Sequence, residues 1–369
     1  ASDPESCRVS SEDCAVYSRQ RKIETCCIST ALHKFRWIYC LTAEIDLPDV
    51  RQVCTGSRKE ETKVKLDFKP IQADDIEQLA PYFCRRPNRT CDSVALDSFL
   101  WRDYYHVQFA VSDKKAVQWL MEEDGIKHSA MPMCEEADLP HYFYEMVDYF
   151  NTVLHIPFKI YLADEEAVEY LKLRESEDFE VIEQEDLKDY LYDGDAMRNL
   201  SGRKLHKKKN HLNGFLKEYE GRYEYRRLSC KDRGEIWSFL DKWREEKGEV
   251  VESHLDYEVE GIHAILNHCC QLQVRMSGVY IDGKLQAFTI GSYNPFEKMA
   301  VIHIEKANAE IRGLYQFINQ QFLIHEFPDA VLINREDDLG QEGLRKAKMS
   351  YNPCGFARKY LVKQKNFVK

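Results

Sequence analysis

The chain has 369 residues, of which 44% are hydrophobic and 12% aromatic, and it carries a net charge of −11. That is ample for a packed core in one or two domains, and no stretch approaches the roughly 20 apolar residues of a membrane span. The acidic balance excludes a protein that coats nucleic acid with its whole surface, although a local basic stripe can still bind phosphates.

Residues 1–62 show no sustained period and are set apart as an unassigned leader. Six of the 13 cysteines, Cys7, Cys14, Cys26, Cys27, Cys40 and Cys54, crowd there. With no CxxC pair and no signal-peptide pattern, neither zinc nor a secreted disulfide framework is expected. Reduced thiols in a cytoplasm are the expectation, and the sequon Asn88-Arg89-Thr90 is read as a chance match.

Legible structure starts near Leu66. Ala73-Asp74-Asp75 caps a helix carrying Ile76, Leu79 and Tyr82. An aromatic segment, Ser98 to Tyr105, leads into a strand at His106 to Val111. Tyr142 to Val153 reads as an amphipathic helix, Phe158 to Leu162 as a buried strand, and Glu165 to Leu173 as a helix. Glu175 to Asp195 is strongly acidic. Gly202 to Phe215 then contains no acid at all: Leu205, Leu212, Phe215, Leu216 and Tyr219 form an apolar stripe, and Arg203, Lys204, Lys207, Lys208 and His211 share the open side. Solvated helix faces usually mix signs for i,i+4 pairing, so plain solvation and a phosphate-rich partner both remain open readings.

A strand at Tyr223 to Leu228 precedes helices at Arg233 to Glu246 and Ser253 to Gln271. In the second of these, Glu258 and Glu260 read as an exposed face and His263 as a structural histidine, so no metal ligand is assigned. Arg275 to Ile281 and Lys284 to Gly291 flank Asp282-Gly283, a favoured two-residue hairpin turn. Met299 to Glu305 is strand-like, and from Glu310 the apolar residues Ile311, Leu314, Tyr315, Ile318 and Phe322 change to a helical period. Between them, Lys306 to Gly313 is a place where backbone amides can face an anion. A further strand, Ala330 to Asn334, and a helix opening near Gly340 complete the order.

Strand, strand, strand, helix, strand, helix, strand is the core of the GNAT acyltransferase fold, an α/β (α+β) class in which two neighbouring strands splay apart. The segments LSGRKLHKKKNHLNGF (Leu200–Phe215), AVIHIEKANAEIRGLYQFINQQF (Ala300–Phe322) and INREDDLGQEGLRKAKMSYNP (Ile333–Pro353) make the chain, from Val64 onward, similar to soluble bacterial proteins with a phosphatidylglycerol lysyltransferase-like C-terminal domain. The resemblance implies two tandem GNAT-like lobes, each a mixed central sheet flanked by helices, at 63–195 and 196–369. It also places Tyr190 and Tyr192 on a strand passing between the lobes, and relates the chain to enzymes that move an aminoacyl group from transfer RNA to a lipid or peptide amine.

Acyl transfer needs a proton acceptor for the attacking nitrogen and donors for the developing oxyanion. On strict alternation His303 and Glu305 share one strand face. If that face is the cleft, Glu305 is the candidate base and His303 its relay; otherwise both are satisfied polar groups. Asn334, Glu336, Asp337 and Asp338 sit where ligands enter open α/β folds, as acceptor-gripping residues or as a helix cap. Tyr351 is a general-acid candidate by resemblance. For the donor, aminoacyl-tRNA or acyl-coenzyme A, the candidates are Arg203, Lys204, Lys207, Lys208, Arg312 and Gly313. Tyr315 stands where coenzyme A loops keep a small residue, which favours the aminoacyl branch. The missing membrane half leaves a phosphatidylglycerol acceptor in doubt, and the acceptor is otherwise open. An acetyl-coenzyme A-dependent N-acetyltransferase and a non-catalytic RNA- or metabolite-binding protein are the rival readings.

Overall fold

The computed structural model describes residues 66–246, 253–272 and 274–367, all within one compact unit. The leader at 1–62 lies outside the described residues. In chain order the strands and helices are β1 (Lys69–Pro70), α1 (Ile76–Leu79), α2 (Ala95–Leu100), β2 (Gln108–Ser112), β3 (Ala116–Glu123), β4 (Ile126–His128), α3 (Leu139–Asp148), β5 (Lys159–Asp164), α4 (Glu165–Tyr170), β6 (Phe179–Glu183), β7 (Asp189–Asp193) and α5 (Gly194–Asn199). There follow α6 (His206–Glu218), β8 (Tyr223–Arg227), α7 (Arg233–Glu246), α8 (Ser253–His268), β9 (Arg275–Ile281), β10 (Lys284–Asn294), β11 (Met299–Ala307), α9 (Leu314–Glu326), β12 (Leu332–Asn334), α10 (Glu342–Met349), β13 (Gly355–Ala357) and β14 (Lys359–Gln364).

These strands build two layers with the same plan. The first runs β1-β2-β3-β4, then joins β5-β14-β6 through the parallel bridge Ser129–Ile160. The second runs β8-β9-β10-β11-β12-β7-β13, with β11 and β12 as its parallel pair. In each layer three antiparallel pairings precede one parallel contact and two antiparallel ones. The sixth position is exchanged: β14, from the end of the chain, lies between β5 and β6, while β7, from the first half, lies between β12 and β13. Tyr190 and Tyr192 thus sit on a strand that leaves its own half for the other sheet.

Burial explains why the exchange holds. One core joins Phe83, Phe99 and Trp119 of the first half to Leu240, Ile262 and Phe288 of the second. The opposite face of the second sheet packs Ala287, Ala300 and Ile302 against α6 and α9 through Leu212, Phe215, Leu314 and Phe322. The apolar stripe of the basic helix is therefore in the core as expected, with Leu205, Leu212 and Phe215 buried.

Helix α9 begins at Leu314, not Glu310, because Gly313 takes a left-handed φ of 88° at its N-cap. A Cβ on Gly313 would stand 2.3 Å from the His211 carbonyl oxygen of α6, so this glycine lets the two helices touch. Gly313→Ala should lower stability by about 1–3 kcal/mol, through both the clash and the strained φ. Gly214→Ala, in α6 with open space around its Cβ, should raise it by roughly 0.5–1 kcal/mol. Urea denaturation of the two variants measures the contrast; equal effects would show that Gly313 is not a packing position.

Candidate active site

Strands β11 and β12 pair at only three positions, Met299–Leu332, Ala300–Ile333 and Val301–Asn334. Beyond Val301, β11 continues to Ala307 along β10, while the chain leaving β12 stays with β7: Arg335 N donates to the Tyr190 carbonyl and Tyr190 N to the Glu336 carbonyl, both at 3.1 Å. Asn334 directs this departure. Its Nδ2 donates to Asp189 Oδ2 and to the Arg89 carbonyl at 2.9 Å each, and its Oδ1 accepts from Glu336 N at 2.7 Å. The result is a wedge between two parallel strands, with the β11 edge from Ile302 onward free of a ladder partner.

A register shift reshapes that edge. Ile290 pairs with Ile304 but Gly291 pairs with Ile302, so His303 is an extra residue in β11. Ile302 consequently enters the core under α9 and Ile304 the core under α7 and α8. This corrects the expectation that His303 and Glu305 share a face. The bulge turns them to opposite sides of the sheet.

On the α9 side, Glu305 pairs with Arg335 Nη2 at 2.9 Å and accepts from Asn319 Nδ2 at 2.7 Å. Tyr351, 6% exposed, carries the Arg335 guanidinium 4.9 Å and the Lys208 ammonium 4.1 Å from its ring centre. Gln316 Nε2 donates to its hydroxyl at 3.3 Å. Burial raises the Tyr351 phenol, partly opposed by Arg335, so it holds its proton. Burial lowers Lys208, helped by Arg335 and opposed by Glu305. Arg203, Lys204, Lys207 and Arg312 are exposed beside it, and Arg312 Nε donates to His211 Nδ1 at 3.2 Å. Among the described residues, none of these five basic groups has a carboxylate within ion-pair distance.

On the other side, His303 Nε2 lies 2.7 Å from Ser292 Oγ, and Nδ1 lies 2.8 Å from Glu336 Oε1 and 3.8 Å from Asp97 Oδ1. Burial pushes this imidazole down to about 3, against Asp189 and Asp92, so it is neutral at pH 7. Burial also raises Asp97 and Glu336 well above the usual carboxyl range and raises Asp337. Asp337 Oδ1 accepts from Leu339 N at 3.1 Å, a cap contact, and its Oδ2 lies 3.9 Å from Lys359. Asp338 accepts from the Tyr190 hydroxyl and pairs with Arg345 at 2.9 Å; these contacts outweigh its burial and hold it down at about 2. Each acid of the triplet thus has an internal partner, with Glu336 and Asp337 still 18% exposed.

The structure brings Glu305, Tyr351 and Lys208 together and leaves Gly313 packed under α6. It adds Arg335, Gln316, Asn319 and Asp97, none of which carries a local sequence signal. Glu258 pairs with Lys306 at 2.6 Å, and His263 packs on Trp237. The expectation of reduced thiols throughout is also corrected: Cys230 and Cys269 are bonded, 39 residues apart in sequence and brought together where the turn before α7 meets the end of α8. A groove of about 440 Å³ runs along α7 and the β9–β10 turn, with Glu235, Trp243, Lys284 and Asn308 in its walls. A smaller cavity of about 30 Å³ in the first half is walled by Asp92, His128 and Tyr161.

Two layers, each with a parallel strand pair, and a wedge at the second pair define a GNAT-like tandem acyltransferase fold. The chain belongs to the family described as phosphatidylglycerol lysyltransferase, C-terminal, whose model matches residues 87–363. A conserved protein of unknown function from Bacteroides thetaiotaomicron is similar at 27% identity and a TM-score of 0.75, over 82% of this chain and 100% of that one. The structure of L-PGS from Bacillus licheniformis shares the fold at 15% identity and a TM-score of 0.57, over 79% of this chain and 93% of that one. An uncharacterized protein of Mycoplasmoides gallisepticum is 29% identical over 205 residues, 55% of this chain; the chain spans 65% of that relative's length. No helix among the described residues is long and apolar enough to cross a membrane.

The cavity histidine supplies a pH test. Burial pushes His128 down from 6.5 to about 4, so the native state refuses a proton that the unfolded chain accepts. The associated stability is complete above pH 6.5 and is lost as pH falls towards 4, a change of about 3 kcal/mol. Urea denaturation at pH 7 and pH 4.5 should show a smaller loss in His128→Gln than in the wild type. An equal loss in both would contradict the assignment.

Proposed function

We propose that this chain moves an activated acyl group, aminoacyl carried on transfer RNA, to an amine or hydroxyl acceptor. The observation that carries the reading is the Glu305–Arg335–Tyr351–Lys208 cluster at the mouth of the β11–β12 wedge. The acceptor nitrogen attacks the ester carbonyl carbon and a C–N bond forms. Glu305 takes the proton released by that nitrogen, the C–O bond to the ribose breaks, and Tyr351 gives the departing oxygen its proton. Main-chain amides on the β11 edge past Val301, where the ladder to β12 has ended, stabilise the oxyanion, as this kind of chemistry requires.

The donor arm lies on the uncompensated basic face of Arg203, Lys204, Lys207, Lys208 and Arg312, whose spread suits a nucleic-acid backbone. Gly313 favours the same choice, because helix α6 occupies the space that a pyrophosphate would need beside it. The acceptor's positively charged group approaches at Asp337, which retains exposure, while the buried, internally bonded Asn334 and Asp338 shape that wall from behind and Glu336 stands beside it. His303 fixes that wall through Glu336.

The test is transfer of a labelled aminoacyl group from charged transfer RNA to free primary amines or to phosphatidylglycerol vesicles, with acetyl-coenzyme A as the competing donor. Glu305→Gln should lower kcat by about 10²-fold to 10⁴-fold and Tyr351→Phe by about 10²-fold, with little change in donor affinity. Reversing Lys207 and Lys208 to glutamate should instead weaken charged-transfer-RNA binding and make its salt dependence shallower. Binding without turnover, or turnover with acetyl-coenzyme A alone, would overturn the reading.

A further inference from the structure

We infer that Asp97, His303 and Glu336 form a binding site for one divalent transition cation of the Zn²⁺ class. The three donors come from α2, the β11 bulge and the loop after β12, and their ligand atoms all lie within 4.8 Å of one another. Around a tetrahedral zinc ion bound at about 2.0–2.2 Å, neighbouring donors stand about 3.3–3.6 Å apart. The separations of His303 Nδ1 from Glu336 Oε1, 2.8 Å, and from Asp97 Oδ1, 3.8 Å, bracket that range.

Asp97 is the independent sign of a missing partner. It is 6% exposed, and its Oδ1, the atom aimed at His303, has no hydrogen-bond partner among the described residues. An orphaned buried carboxylate oxygen is costly and uncommon in native structures. The nearby lysines do not relieve it. Lys359 pairs with Asp189 at 2.8 Å and donates to Cys91 Sγ at 3.1 Å, while Lys348 donates to the carbonyls of Arg335 and Asp337. Among the described residues, His303 is the one basic group within ion-pair distance of Asp97 or Glu336.

The surroundings suit an ion. Ser292 Oγ at Nε2 orients the imidazole from the far side, as a ligating histidine requires. Glu336 is 18% exposed, which gives solvent an access path. One imidazole and two carboxylates are a donor set for zinc and its neighbours in the first transition row. An ion there would tie three elements together at the root of the wedge, on the face opposite Glu305, where it would hold β11 and the β12 exit at a fixed separation.

Calorimetric titration of the full chain with Zn²⁺ at pH 7.5 tests this in a Cys230→Ser, Cys269→Ser, Cys270→Ser background, which removes the separate group of three cysteines around the disulfide. One equivalent should bind, and Asp97→Asn and Glu336→Gln should each weaken it by about 100-fold. Without cation, Asp97→Asn should melt no lower than its parent, since it removes an unpaired buried carboxylate. Co²⁺ absorption of the wild-type chain is the second measurement: visible d–d bands that disappear in Asp97→Asn but persist without the three cysteines support the site. Absence of binding in the triple-serine background, or binding indifferent to either Asp97 or Glu336, overturns it.

Discussion

Three hydrogen bonds from one buried amide set the geometry of the second sheet. Asn334 holds the end of β12 to Asp189 and Arg89 and turns the backbone of Glu336 back on itself. Parallel neighbours would otherwise continue their ladder, because an unpaired backbone group away from water is expensive. By committing the chain after β12 to β7, Asn334 leaves the edge of β11 open from Ile302, and the polar side chains of both walls then meet across the opening. Asp189 reaches this point only because β7 crosses from the first half of the chain, so the strand exchange and the wedge are one construction.

The bulge at His303 divides the wedge into two chemically different sides. Towards α9 the Glu305 carboxylate sits among cationic and proton-donating groups: Arg335, Lys208 and a tyrosine that keeps its proton. Towards α2 they are carboxylates around a neutral histidine. Buried ion pairs of this kind contribute little net stability, since desolvation offsets most of their attraction. Their value is positional, because fixed dipoles and charges need not reorganise when charge develops between them.

Much of this was legible in the sequence. The hairpin around Asp282-Gly283, the strand through Met299 to Glu305 and the helical period from Leu314 to Phe322 all follow from local spacing, and the acid-free run from Gly202 to Phe215 marked the basic helix. What escaped depends on long-range pairing. Alternation cannot reveal a bulge, so spacing alone puts His303 and Glu305 on one face. Lys359 to Gln364 forms a strand by inserting between β5 and β6, and nothing local announces that. Asp97 lies more than 200 residues before His303 in the chain, with no motif to join them. Arg335 is followed directly by three acids, Glu336, Asp337 and Asp338, and nothing in that run distinguishes a buried partner of Glu305 from a solvated charge.

The most direct measurement of the central claim is hydrogen–deuterium exchange of the full chain, with and without an amide-linked, non-hydrolysable aminoacyl-RNA. An activated carboxyl lying in the wedge predicts slowed exchange in residues 302–307 and along the basic face at 203–209, with residues 108–123 of the first sheet unchanged. Slowing confined to the groove around Glu235 and Asn308, or no slowing at 302–307 at saturating ligand, would contradict it.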